Sequence, residues 1–172
     1  MTLQGSATLG LEIVEYLKLI NTTIDNLIIS VGGGGLISGV SSYVKQFYPK
    51  IKIIGVEPEN ANGLNQSLRA NKPLNNVNVN SIADSLSAPL HMQYSFDVAK
   101  EVIDEMVTVS DDEMKKFVVF CYKKFKLFLE PACVAGLAAL KYKINNKLIG
   151  KNTMVILCGS NIDKKTWSDL TN

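Results

Sequence analysis

The hydrophobic positions of this chain alternate between short continuous runs and stretches with helical spacing. Residues 7–20 carry an apolar residue every three or four positions, which predicts an amphipathic helix with Ser6 as a possible N-cap. Residues 27–31 form a short β-branched run, residues 36–47 have helical spacing, and residues 51–56 form a second apolar run. Because strand, helix and strand follow within about 30 residues, we predict a right-handed βαβ unit with parallel strands.

The rest of the chain continues this alternation. Helical spacing predicts helices over residues 60–70, 96–103, 110–125 and 132–143, and short apolar runs predict strands over residues 106–109 and 153–157. Ser110 and Glu113 form a capping box, Pro131 suits a first helical turn, and Trp167 is expected to anchor a short terminal helix. The asparagine-rich segment 71–80 is predicted to be a loop. We therefore predict a single α/β domain over residues 1–172, a parallel twisted sheet with helices on both faces.

Composition excludes several classes of protein. The 172 residues carry a net charge of +2, and no basic cluster is interleaved with aromatic residues, which argues against a nucleic-acid partner. No apolar run reaches the roughly 18 residues of a membrane helix, so no membrane partner is expected. The three cysteines show no CxxC spacing, which favours a reducing, cytoplasmic setting over a disulfide framework or a zinc site.

A run of four glycines lies between the first strand and the second helix. Gly32, Gly33, Gly34 and Gly35 leave their amides unshielded by side chains, and Leu36 follows them. Amides at a helix N-terminus also meet the positive end of the helix dipole. The sequence therefore predicts a site for a small anion, and a phosphate is the anion we expect. All basic residues except Arg69 are lysines, so this site would depend on the backbone and not on an arginine clamp.

Two common nucleotide motifs do not fit this loop. A GxGxxG motif would need a third glycine where Ile37 or Ser38 stands, and a P-loop would need a lysine where Val40 stands. Glu57 nevertheless ends the second strand where an acid that binds a ribose would lie. A nucleotide-binding domain therefore remains an alternative.

Six segments, in register along the chain and including the glycine loop, carry a resemblance to a known family. They are Gln4-Gly5-Ser6 before Leu11-Glu12-Ile13, the glycine loop, Gly55-Val56-Glu57-Pro58 with Asn60-Ala61, Ile82-Ala83-Asp84, Leu129-Glu130-Pro131-Ala132, and Leu157-Cys158-Gly159-Ser160-Asn161-Ile162-Asp163. In these motifs the chain resembles the C-terminal part of a fold-type-II pyridoxal-phosphate enzyme. It is most similar to the threonine/serine dehydratase and serine racemase family.

The resemblance implies a fold, a cofactor and a reaction. The fold would be part of the large domain of a tryptophan-synthase-β-like enzyme, and the cofactor would be pyridoxal 5'-phosphate. The complete enzyme would be a lyase that eliminates water and ammonia from L-threonine or L-serine, and racemisation stays open. By resemblance, the glycine loop and the Leu36 amide would cradle the cofactor phosphate, and Cys158 with Gly159 would lie at its pyridine nitrogen. Asp84, Ser85, Glu130 and Asn161 would lie near the cofactor, with Glu130 ordering the local backbone.

Cys158 has two interpretations. As the partner of the pyridine nitrogen, a neutral thiol is a weak hydrogen-bonding group, which would suit elimination at the β-carbon. From the residue alone, a small buried hydrophobic side chain is the alternative.

We expect three segments that end strands to converge on one cleft. They are the glycine loop, Glu57 with Pro58, and residues 158–161.

Two positions depart from the family pattern. Ser85 stands where the family often has glycine, which bears on substrate fit. A divalent cation in some relatives would use residues matching Glu57 and Ala61, but Gly63 stands at the third ligand position, so no metal is expected. His91, the single histidine, is predicted to lie on the surface.

The resemblance also implies a missing group. The family's Schiff-base lysine lies upstream of the first matching segment, and none of the seventeen lysines here matches its motif. We therefore expect no catalytic residue in this chain, no activity of the chain alone, and association with an N-terminal half or with a second copy. A non-catalytic module that binds pyridoxal phosphate or phosphate is the alternative.

Overall fold

Four parallel strands form one sheet. The computed structural model describes residues 2–171, and in that range the strands are β1 (Asn26–Ser30), β2 (Lys52–Pro58), β3 (Glu105–Val109) and β4 (Thr153–Val155). The strand order is β3-β2-β1-β4, and every pairing is parallel. β1 is therefore central and pairs with both β2 and β4, which confirms the predicted βαβ unit.

In the described range, seven α-helices surround the sheet. They are α1 (Thr2–Leu19), α2 (Gly35–Phe47), α3 (Gly63–Ala70), α4 (Gln93–Val102), α5 (Asp111–Phe125), α6 (Pro131–Tyr142) and α7 (Lys164–Thr171), and 3-10 turns span Glu59–Ala61, Asp84–Leu86 and Asn145–Lys147. No helix within residues 2–171 is long and apolar enough to cross a bilayer.

The alternation of side chains along β1 separates two cores. Leu27 and Ile29 pack on one face with the buried residues of α1, α2 and α4. Ile28 packs on the other face with the buried residues of α5 and α6. Both faces of the sheet are thus covered by helices, as the sequence predicts for parallel strands.

The structure corrects two predicted boundaries. α1 begins at Thr2, so Ser6 is not an N-cap; its hydroxyl donates to the Thr2 carbonyl at 3.1 Å. The helix extends because its first turns pack on α2, where Gly39 lets the Leu3 backbone approach closely. β4 ends at Val155, one residue before the Ile156 amide that still donates to Ile28.

The predicted helix over residues 60–70 is two elements. A 3-10 turn at Glu59–Ala61 precedes α3, and Asn62 separates them with a non-helical backbone. The local signals around α5 and α7 are confirmed. Ser110 and Glu113 form the complete capping box of α5, and Trp167 of α7 stacks on Phe128 with their ring centroids 4.7 Å apart.

Candidate functional site

A cavity of about 710 Å³ lies at the carboxyl ends of β1 and β4. One wall is formed by the end of β1 and the glycine loop, and the other by residues that follow β4 and by two other loops. Its lining includes Ser30, Gly32, Gly33, Gly34, Gly35, Leu36, Ser85, Glu130, Cys158 and Gly159. The cavity thus brings together most of the predicted site residues, at the position where ligands bind in open parallel sheets.

The amides of the glycine loop have no acceptor among the residues that the structure describes. Among residues 2–171, no backbone N–H of residues 32–37 donates a hydrogen bond to a protein atom, whereas those of Val31 and Ser38 on either side do. α2 begins at Gly35, so the unpaired amides belong to its first turn and to the loop before it. Gly34 caps the helix with a left-handed backbone (φ +82°), a conformation that favours glycine. This cradle fits an anion.

The Ser30 hydroxyl adds an unpaired polar atom to the same wall. Its oxygen is buried without a hydrogen-bond partner within the described part of the chain, and Ser30 lines the cavity. Ser30 is not among the site residues predicted from the sequence. Its signal is a polar residue at the carboxyl end of an otherwise apolar buried strand, which is where a ligand is expected to lie.

The opposite wall is built around Glu130. Its Oε1 accepts a hydrogen bond from the Ser85 hydroxyl at 3.2 Å, and its backbone N–H donates to the Gly159 carbonyl at 3.4 Å. Gly159 has φ +136°, and a Cβ there would overlap the Glu130 carboxylate. Ser85, where the family often has glycine, therefore places a hydroxyl at the cavity and holds the Glu130 carboxylate.

Cys158 is exposed at the cavity, so the alternative of a buried hydrophobic residue is wrong. β4 ends at Val155, so Cys158 lies beyond the strand. Cys133 lies behind it in α6, and burial raises the pKa of the Cys133 thiol to about 12. Cys158 is thus the cysteine that a ligand in the cavity can contact.

Two predicted residues do not line the cavity. Asp84 is exposed, and its Oδ1 accepts the Ser85 amide at 2.8 Å, so it shapes the turn that presents Ser85. Asn161 is exposed and lies beyond the lining residues. Both residues therefore lie outside the cavity lining.

The position of Glu57 contradicts the prediction that three strand-ending segments converge on one cleft. Its side chain is 1% exposed and does not line the cavity. Its carboxylate oxygens instead accept the Leu64 and Asn65 amides at 2.8 and 2.9 Å, which stabilises the start of α3. Burial raises the pKa of Glu57 to about 7, although these two hydrogen bonds act in the opposite direction. The buried acid also cannot reach a ribose at the cavity.

His91 is buried, so the prediction of a surface position is wrong. Its side chain is 2% exposed, and its Nε2 lies 3.1 Å from the Gly32 carbonyl oxygen. The imidazole fills space beside Gly63, where a Cβ would lie 2.9 Å from the His91 Cε1. The local sequence does not indicate this burial, because the ring is buried through contacts with Gly32 and Gly63, which are distant along the chain.

Charged side chains contribute little to the cavity. Within residues 2–171 no lysine or arginine lines it, and Glu130 is its one ionisable carboxylate. In the same range, no three histidine, cysteine, aspartate or glutamate side chains are grouped to hold a metal ion. An anion in the cavity would therefore be bound by amides, a hydroxyl and the dipole of α2.

The chain matches known proteins along most of its length. The family model described as pyridoxal-phosphate dependent enzyme matches residues 1–159. Phenylserine dehydratase of Ralstonia pickettii is 40% identical over 167 residues, which cover 97% of this chain and 50% of that protein.

Solved structures agree in fold. A processed threonine deaminase isoform 2 from Solanum lycopersicum superimposes with a TM-score of 0.89 at 34% identity, covering 98% of this chain and 48% of that one. Maize serine racemase gives a TM-score of 0.85 at 31% identity, covering 98% and 53%. The chain spans about half the length of these relatives. It belongs to the family of pyridoxal-phosphate dependent enzymes.

Proposed function

We propose that the cavity binds pyridoxal 5'-phosphate, with the phosphate on the amides of Gly32, Gly33, Gly34, Gly35 and Leu36. The observation that carries this proposal is the row of amides without protein acceptors at the N-terminus of α2. A dianionic phosphate satisfies several such donors at once, and the helix dipole adds to the attraction. The unpaired Ser30 hydroxyl lies on the same wall and can donate to the same group.

The opposite wall would contact the remainder of the cofactor. When bound, pyridoxal phosphate supplies the electron sink for reactions at the carbons of an amino acid. Cys158 offers the pyridine nitrogen a neutral thiol, and Gly159 lets the backbone approach closely. Glu130 orients the Ser85 hydroxyl and the Gly159 backbone, which supports the expectation that it orders this wall.

For the complete protein we propose elimination of water and ammonia from a β-hydroxy amino acid. The names of its relatives, phenylserine dehydratase and threonine deaminase, support this reaction class, and serine racemase keeps racemisation open. Serine, threonine and phenylserine share the β-hydroxyl group that such an elimination removes. We propose that the residues contributed here hold the cofactor and do not transfer protons to the substrate.

We also propose that this chain works with polypeptide that supplies the lysine, as an N-terminal half or a partner subunit. No lysine lines the cavity within residues 2–171, although the family's covalent chemistry requires one. Within residues 2–171 β4 pairs with β1 alone, which leaves its outer edge open to another strand. Apolar side chains are exposed at Leu11 and Leu19 of α1 and at Leu157, which follows β4. Partners cover apolar surface of this kind.

The test combines this chain with the other half of the phenylserine dehydratase relative. Ammonia release from phenylserine, threonine and serine is measured for each polypeptide alone and for the mixture. We expect release from the mixture only. Gly150→Ala should release ammonia in the mixture as the wild type does, because Gly150 lies in an exposed turn that does not line the cavity. A mixture that associates and binds pyridoxal phosphate but releases no ammonia would contradict the proposed reaction.

The cavity without a lysine also supports a second candidate, a binding module without catalytic function. Such a module would bind pyridoxal phosphate reversibly, and no partner would restore turnover. The same mixing experiment separates the two candidates, because cofactor binding is common to both and ammonia release is not.

A further inference from the structure

We propose that His91 is a positioning residue for the glycine loop: its Nε2–H holds the Gly32 carbonyl and thereby turns the Gly33 amide towards the cavity. The inference rests on the proposed binding of a phosphate to this loop. His91 itself does not line the cavity and is 2% exposed, so it would act through Gly32 and not by contact with the ligand.

The hydrogen bond fixes the tautomer of the imidazole. Nε2 lies 3.1 Å from the Gly32 oxygen, and a carbonyl can only accept, so Nε2 carries the proton. Nδ1 is buried and has no hydrogen-bond partner within the described residues. The ring therefore makes one directed hydrogen bond, and that bond goes to the loop.

The peptide plane carries this constraint to the other side of the loop. In a planar trans peptide, the C=O and the following N–H point in opposite directions. The Gly32 oxygen points at His91, so the Gly33 N–H points away from His91, and Gly33 lines the cavity. Holding the carbonyl therefore orients one of the amides that have no acceptor in the protein.

The imidazole is itself held in place on several sides. The His91 N–H donates to the Leu74 carbonyl at 3.1 Å. Gly63 leaves the space for the ring, since a Cβ there would lie 2.9 Å from Cε1 and 3.1 Å from the Ala88 carbonyl oxygen. The Gly32 backbone is confined as well, because a Cβ on Gly32 would lie 3.0 Å from the Leu86 Cα. The glycine loop therefore has little room to rotate. Because the ring is fixed and the peptide is confined, the Gly33 amide is held rigidly. A rigid donor reduces the free-energy cost of ordering the loop when a ligand binds.

Two substitutions separate positioning from packing. His91→Leu keeps an apolar side chain of similar size and removes the donor, whereas His91→Gln keeps a donor near the position of Nε2. The probe is inorganic phosphate, its Kd is obtained from amide shifts of the ¹⁵N-labelled chain, and thermal unfolding is measured in parallel. We expect His91→Leu to shift the free Gly33 ¹⁵N resonance and raise the Kd roughly three- to tenfold, and His91→Gln to stay within about twofold of the wild type.

Each outcome distinguishes a positioning role of His91 from a packing role. A folded leucine variant with a lower Tm and a wild-type Kd would show packing alone and overturn the proposal. If that variant does not fold, His91→Asn replaces it, because its amide matches Nδ1 and cannot reach Gly32; a wild-type Kd there overturns the proposal equally. If the wild-type loop amides show no saturable shift with phosphate, the anion site itself fails and this role with it. Saturable wild-type binding that the variants leave unchanged removes only the role of His91.

Discussion

The substitution Gly34→Ala tests the glycine loop with a matched control elsewhere in the chain. Gly34 and Gly150 both have left-handed backbones, with φ of +82° and +76°. Neither lacks space for a Cβ, because the nearest atom to the one on Gly34 is the Leu64 Cδ2 at 3.7 Å, and nothing lies within 4 Å of the one on Gly150. The two alanine variants therefore impose the same kind of backbone strain, and only one of them lies in the cavity wall.

The expected magnitudes follow from this strain. An L-residue in the left-handed region costs about 1 kcal/mol or slightly more, which lowers the Tm of a chain of this size by roughly 3 °C in either variant. In Gly34→Ala, relaxation towards negative φ also rotates the amides of Gly34 and Gly35. A hydrogen bond to a charged group contributes about 1.5–3 kcal/mol, so losing the direction of one amide weakens phosphate binding at least about tenfold.

The assay compares the Kd of inorganic phosphate and of pyridoxal phosphate for the wild type and both variants, at a temperature where all are folded. We expect equal losses of Tm, with weaker binding in Gly34→Ala alone. If both variants bind phosphate as the wild type does, the loop amides are not the anion site.

Three further substitutions test other parts of the account. Burial raises the pKa of Glu57 from 4.5 to about 7, so its stabilising contribution, on the order of 3 kcal/mol, is fully present below pH 4.5 and is lost as the pH rises through 7. Glu57→Gln should remove that part of the pH dependence in urea unfolding, and an unchanged dependence would refute the assignment. Gly159→Ala should cost about 2 kcal/mol or more, because it combines φ +136° with an overlap on Glu130, and a loss no larger than that of Gly150→Ala would contradict this geometry. Ser110→Ala should cost about 1 kcal/mol through the lost cap of α5 and leave phosphate binding unchanged, so a rise in the phosphate Kd would be unexpected.

Much of this fold is encoded in local patterns that the sequence displays. β1 and β2 are continuous apolar runs because both faces are covered, and the capping box at Ser110 identifies the start of α5 without knowledge of tertiary contacts. The four glycines likewise identify the β-to-α junction, and α2 begins within one residue of the predicted position. Periodicity and capping chemistry are short-range signals, and they were sufficient for these elements.

The residues that sequence reasoning misplaced depend on long-range packing. Ser6 has the chemistry of an N-cap, but α1 extends past it because its first turn packs on Gly39 of α2. His91 lies in a loop and is buried through contacts with Gly32 and Gly63, far away in the sequence. Glu57 matches a ribose-binding or metal-binding acid by position, and the amides of α3 take up both its oxygens. No local pattern reports which partner a buried polar side chain will find.

The most direct test of the central claim is a titration of the ¹⁵N-labelled wild-type chain with inorganic phosphate, followed through its amide resonances. We expect saturable shifts at Gly32, Gly33, Gly34, Gly35 and Leu36, because their N–H groups have no acceptor within residues 2–171. The start of α5 serves as an internal control, since Ser110 already caps that helix and its amides should move little. Shifts spread over several helix N-termini without saturation, or none in the glycine loop, would contradict the account.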